Sequence, residues 1–172
     1  DVVVDYHPEW PLVYGVRGRI NVDAQDSSAK LEELSTRGMN FFSTMISTNN
    51  KENRLNVNFE GQAKIEQIIN FIEDVPLSDY ENLNSSDWEI EGLANLNGNI
   101  GISLSDEMLL FDDITLDLGI IDATIRSTNY EFKLHRLVGP MGYKSGLGLF
   151  SEGLQGELFG NSIDIKIGVD NK

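Results

Sequence analysis

The sequence predicts an all-β, mainly antiparallel protein in which an elongated, twisted sheet curls into an open hydrophobic groove beside one short amphipathic helix. Three observations predict this fold class. Apolar and polar residues alternate with period two in most segments. Turn-forming residues recur at intervals of roughly ten residues, as expected of hairpin-linked strands. The apolar period changes to that of a helix once, so no βαβ rhythm is present.

Composition limits the classes of function. The chain has 172 residues, of which 40% are hydrophobic, and this is enough for one domain with a core. The formal charge of −15 would repel a nucleic-acid backbone, so we predict no nucleic-acid partner. The absence of cysteine excludes a disulfide framework, a thiolate zinc site and a cysteine nucleophile.

The longest predicted strand is Trp88–Leu104, with the sequence WEIEGLANLNGNIGISL. Its even positions are apolar or small throughout, whereas most odd positions are polar. At about 3.3 Å per residue it would extend on the order of 50 Å, well beyond a common strand. A sheet face packed on its own core is the simpler explanation of the alternation. The length favours a groove, because twist curls or splits a very long strand in a compact domain.

Five strands are predicted before this one. They are Val2–Tyr6, Leu12–Asp23, Ala29–Thr36, Met39–Thr48 and Arg54–Ala63. A helix insertion follows at about residues 64–74, because Ile65, Ile68, Ile69 and Ile72 recur at helical spacing. Pro76 ends the helix, since the residue before a proline is pushed out of the helical region.

The remaining strands are shorter. They are predicted at Met108–Phe111, Asp113–Leu118, Asn129–Arg136, Gly153–Gly160 and Ser162–Val169. Near Gly119 the apolar phase changes from even to odd positions, which indicates a bulge or a tight bend. The glycine-rich stretch 139–148 predicts a loop.

Catalytic and metal-binding groups are sparse in the sequence. His7 and His135 are the two histidines, and both are expected at the surface rather than as general bases. The acidic pairs Asp106–Glu107 and Asp112–Asp113 lack the spacing of a calcium loop. The glycine-rich stretch has no Gly-Lys-Ser/Thr motif for phosphate. We therefore predict no enzyme activity, no catalytic residues, no metal and no cofactor.

An ordered set of motifs resembles a known family. The helix followed by Pro76-Leu77, then Trp88, Gly92 and the strand ending Ile102-Ser103-Leu104, resembles the YhdP branch of the AsmA-like family of Gram-negative envelope proteins. Further matches are Trp10-Pro11 before a strand carrying Gly18, and the run at 148–154. The resemblance covers roughly Trp10 to Ile167. Ser103 departs from the family pattern, in which proline is often expected.

The resemblance implies a bridge-like lipid transfer protein. In such a protein a periplasmic β-groove carries the acyl chains of phospholipids, or of another acyl-chain lipid, between the inner and outer membranes. It implies a periplasmic location, a parent chain anchored in the inner membrane, and a sequence that is one β-groove segment (residues 1–172) of a longer protein. The predicted lining is the apolar phase of the strands: Val16, Ile20, Leu55, Val57, Phe59, Trp88, Ile90, Leu96, Ile100, Ile102, Leu104, Tyr130, Phe132, Leu134, Ile163, Ile165 and Ile167.

Two other functions stay open at the level of the sequence. One is a compact β-sandwich or closed barrel that acts as a binding or scaffold module, with the same residues sealed in a core. The other is a glycan-active enzyme, which would need two carboxylates about 5–10 Å apart in a cleft. Other envelope partners, the lipid identity and the oligomeric state are not encoded in recognisable motifs.

Overall fold

The computed structural model describes residues 3–4, 11–23, 27–49, 53–74, 87–104, 109–127 and 129–168. Several residues discussed above lie outside these ranges, namely His7, Trp10, Pro76, Leu77, Asp106, Glu107 and Val169. The elements are β1 (Val3–Val4), β2 (Val13–Val22), β3 (Ser27–Thr36), β4 (Met39–Asn49), β5 (Arg54–Lys64), α1 (Ile65–Asp74), β6 (Trp88–Leu104), β7 (Leu109–Ser127), β8 (Lys133–Lys144), β9 (Gly148–Leu158) and β10 (Asn161–Ile167).

The strands form one open antiparallel sheet in which each strand pairs with its neighbours in sequence. The order is β1 to β10 without a crossover. This confirms the predicted fold class, including the single short helix. With strands roughly 4.8 Å apart, a sheet of 10 strands measures about 40 Å across. The described strands belong to a single sheet, so they are not arranged as the two facing sheets of a sandwich.

Strand pairing places the apolar side chains on one face of the sheet, called the inner face below. Directly paired residues share a face, and the pairs Val57–Ile100, Ile100–Ile114 and Leu116–Tyr143 carry this face from β5 to β8. It continues to β10 through the pairs Leu134–Leu158 and Ile165–Leu154. The opposite, outer face carries polar ladders such as Asn58–Asn99, whose side-chain amides bond at 2.8 Å.

The inner face is buried to different extents along the sheet. On β7 and β8 it is closely packed, with Leu118, Ala123 and Leu137 all at most 5% exposed. Such low exposure on a single sheet requires a covering element or a curled sheet. Helix α1 covers part of β5 and β6, where Ile65 and Ile68 are buried with Ala63 and Ala94. The remaining burial is consistent with a curled sheet.

Bulges change which residues face inward. On β7 the inward positions are even up to Ile120 and odd from Ala123, because Asp122 adds one residue with a φ of 47°. Arg136 does the same on β8, with a φ of 51°. The phase change predicted near Gly119 is therefore confirmed as a bulge, centred three residues later.

Four predictions for the second half of the chain are wrong in their boundaries. Residues 109–127 form one strand rather than two, because a register shift near Asp113 keeps the strand paired with β6. The stretch 139–148 is a turn only at residues 145–147, since β8 continues to Lys144 and β9 begins at Gly148 rather than at Gly153. The strand predicted from Asn129 begins at Lys133, because residues 129–131 form a turn.

Two glycines in β8 explain why the loop prediction failed. A Cβ on Gly139 would lie 2.7 Å from the Gly153 carbonyl oxygen, and one on Gly142 would lie 2.7 Å from Phe150 Cε2. These glycines allow close approach within the sheet rather than a turn.

Candidate functional site

The inner face contains an apolar groove between β2 and β8. Its cavity volume is about 440 Å³, which falls in the range of roughly 300–1,000 Å³ typical of small-molecule sites. Strands β2 to β7 contribute apolar side chains, β8 contributes Tyr143, and α1 contributes Ile68 and Phe71. The lining has no charged side chain, and its residues with polar side-chain atoms are Thr36, Thr44 and Tyr143. The groove is therefore suited to a hydrocarbon ligand.

Part of the predicted lining forms the groove. These residues come from β2, β5 and β6 and are Val16, Ile20, Leu55, Val57, Phe59, Leu96, Ile100 and Ile102. Their exposure differs with position, since Leu96 is 6% exposed whereas Ile20, near one end of β2, is 72% exposed. The groove therefore has a closed floor and an open rim.

Most of the other predicted residues lie on the inner face beyond the groove. Ile90, Phe132, Leu134, Ile163, Ile165 and Ile167 pack in or against the apolar core. Trp88 and Phe132 make an edge-to-face contact at 6.2 Å between ring centroids, with Trp88 44% exposed. Leu104 is half-buried at the end of β6, opposite Leu109. Tyr130 lies in the turn at 129–131 and is 75% exposed, so it does not line the groove.

Sequence reasoning missed the groove residues of β3 and β4. On β3 the inward-facing residues are Ala29 and Leu31 and then, three positions later, Leu34. On β4 they are Phe41 and then, again three positions later, Thr44, followed by Ile46. A strict two-residue period does not select such a set. The two phase changes lie opposite each other in the sheet, since Leu31 pairs with Thr44 and Leu34 pairs with Phe41, and no pattern within one strand indicates this pairing.

The groove is also lined by residues outside the predicted set of lining residues. The remaining lining residues are Val13, Met39, Ile68, Phe71, Ile114, Leu116 and Tyr143, together with Thr36. Ile68 and Phe71 belong to the helix, whose observed bounds agree with the predicted insertion. The helical period indicated that α1 has an apolar face, but the position of that face in the groove depends on tertiary packing.

The aromatic rings in the groove are held by contacts with each other and with glycines. Phe41 and Phe59 meet edge to face at 5.3 Å between centroids. Phe59 extends over Gly98 of β6, where a Cβ would lie 2.8 Å from Phe59 Cε2. Phe41 extends over Gly61, where a Cβ would lie 2.9 Å from Phe41 Cδ1. Both rings occupy space on the groove floor that a side chain at these glycine positions would fill.

Other classes of site find little support among the described residues. No helix there is both long and apolar enough to cross a membrane. In the same ranges, no three histidine or acidic side chains lie close enough together to hold a metal ion. Comparison of the chain with protein-family models, with curated proteins and with solved structures finds no match.

Proposed function

We propose that this chain binds the acyl chains of phospholipids, or of another acyl-chain lipid, along its apolar groove. The observation that carries the proposal is the 440 Å³ groove with no charged lining residue. Each methylene moved from water to such a lining contributes about 0.8 kcal/mol, so ten of them contribute roughly 8 kcal/mol before the cost of ordering the chain. Such a gain corresponds to an affinity no tighter than about micromolar.

We also propose a cellular location for this binding. The resemblance to the AsmA-like family suggests that the chain is a periplasmic segment of a bridge between the inner and outer membranes, in a parent protein anchored in the inner membrane. The open rim supports a carrier role, because a chain that enters along an open side can also leave or slide. The proposed role needs no catalytic group.

A direct test places a charge at the rim of the groove. Ile20 lines the groove but is 72% exposed, so Ile20→Asp should leave folding nearly unchanged and should weaken binding. We expect at least a tenfold loss of affinity for a fluorescent fatty acid, because a bound acyl chain would remove water from the new charge. The measurement is a fluorescence titration of the full chain.

The matched control is the next residue on the same strand. Asn21 is exposed and pairs with Ser28 on the outer face, so Asn21→Asp adds the same charge outside the groove. Its affinity should equal that of the wild type. No saturable binding by the wild type, or equal losses in both variants, would contradict the proposed function.

A further inference from the structure

Thr44 supplies the groove with a buried hydroxyl. It lies on β4 and is 4% exposed, and among the described residues its Oγ1 has no hydrogen-bond partner. Nearby threonines differ in this respect. Thr36 Oγ1 donates to the Leu12 carbonyl at 3.0 Å, and Thr48 Oγ1 donates to the Ser27 carbonyl at 3.3 Å. Of these three hydroxyls, only that of Thr44 has no partner among the described residues.

The neighbours of Thr44 extend away from it. Leu31 and Phe59 are its direct partners on β3 and β5. Leu31 reaches over Gly18, where a Cβ would lie 2.9 Å from Leu31 Cδ2, and Phe59 reaches over Gly98 on the other side. Both side chains lie over glycines on the strand that is farther from Thr44. Thr44 therefore forms part of the cavity lining between them.

The surroundings of Thr44 define what kind of group it can meet. Along β4 the lining is apolar on both sides, with Phe41 towards the helix and Ile46 towards the other end. A ligand group that reaches Thr44 is thus flanked by hydrocarbon in both directions. It must also be neutral, because the lining holds no charge to pair with an ion. A threonine hydroxyl can both donate and accept a hydrogen bond.

We infer that the groove selects acyl chains that carry a hydroxyl or keto oxygen within the chain, and that Thr44 is the residue that recognises this oxygen. The inference rests on the proposed function, because it requires an acyl chain in the groove. A buried hydroxyl left unpaired is unfavourable, and an oxygen on the ligand pairs it without adding charge. An unsubstituted chain leaves Thr44 unpaired.

The test compares stearate with a mid-chain hydroxystearate. Each displaces a fluorescent fatty acid from the full chain, in the wild type and in three variants. We expect the wild type to bind the hydroxylated chain about tenfold more tightly, the effect of roughly one buried hydrogen bond. Thr44→Val, which replaces the hydroxyl with a methyl group, should lose or reverse this preference, because the ligand oxygen is then left without a partner. Thr44→Ser should keep the preference.

Thr48→Val is the control, because Thr48 is not among the groove-lining residues and its hydroxyl is already bonded to Ser27. It should keep the preference of the wild type, and circular dichroism should show that all variants are folded. Equal affinities in the wild type, or a preference that survives in Thr44→Val, would overturn the inference while leaving the proposed function intact. Failure of both chains to bind the wild type would instead overturn the proposed function and the inference with it.

Discussion

Single glycines leave space for the largest side chains in the groove. Gly98 lies beneath Phe59 and beside Leu116 on the inner face of β6. A Cβ there would lie 2.8 Å from Leu116 Cδ2, so a neighbouring side chain must move. In a packed core such movement forces side chains away from their preferred rotamers. The shape of the groove therefore depends on residues that contribute no side chain.

Gly98→Ala should lower the free energy of unfolding by about 1–3 kcal/mol, because the added methyl group overpacks the site. The measurement is urea denaturation followed by circular dichroism. Gly119→Ala is the matched control on β7, where a Cβ would meet only Asn95 Cβ at 3.8 Å. It should be neutral or stabilising by up to about 1 kcal/mol, since alanine restricts the unfolded chain. Equal destabilisation by both substitutions would contradict the role given to Gly98.

At the scale of elements, bulges decide which side chains reach the inner face. Asp122 on β7 and Arg136 on β8 lie on neighbouring strands and have φ values of 47° and 51°. Each extra residue reverses the phase of its strand, so that Ala123 and Leu137 point inward. Without the bulge on β7, the residues after Ile120 would place their polar side chains in the core.

Asp122→Val should lower the free energy of unfolding by about 1–2 kcal/mol, because a β-branched residue disfavours a positive φ. Asp122→Gly should be neutral or stabilising, because glycine adopts a positive φ without steric strain. Asp117→Val provides the control, since Asp117 is exposed on the same strand and its φ is not positive. Thermal unfolding distinguishes these variants. A destabilisation by Asp117→Val as large as that by Asp122→Val would show that the lost charge, rather than the backbone conformation, is responsible.

The regularity of the apolar pattern in each element determines how much of this fold the sequence predicts. Strand β6 has the predicted bounds, because its alternation is unbroken from Trp88 to Leu104. Helix α1 agrees within one residue, since isoleucines recur at helical spacing in its sequence. The groove walls of β3 and β4 were missed because their period slips between Leu31 and Leu34 and between Phe41 and Thr44. A local pattern cannot predict a slip that becomes favourable only when neighbouring strands slip together.

The whole molecule combines a closed core and an open groove on the same sheet face. The core lies mainly on β7 and β8, around Leu118, Ala123 and Leu137. The groove extends from there across β6 to β2, where the lining residue Ile20 is 72% exposed. Exposed apolar surface of this kind on a folded sheet often marks an interaction site or a ligand-binding site. This asymmetry supports a carrier of acyl chains over a purely structural module.

Native mass spectrometry of the chain purified from a Gram-negative periplasm, with organic extraction of the bound material, determines whether the groove holds a lipid. We expect co-purified phospholipid or another acyl-chain lipid. Ile100→Asp in the groove should lose this lipid while circular dichroism still shows β-sheet. Asn97→Asp, an exposed position on the outer face of the same strand, should retain it. A lipid-free wild type, with unfolding of Ile100→Asp, would mean that the groove is an unfilled part of the core and that the chain carries no lipid.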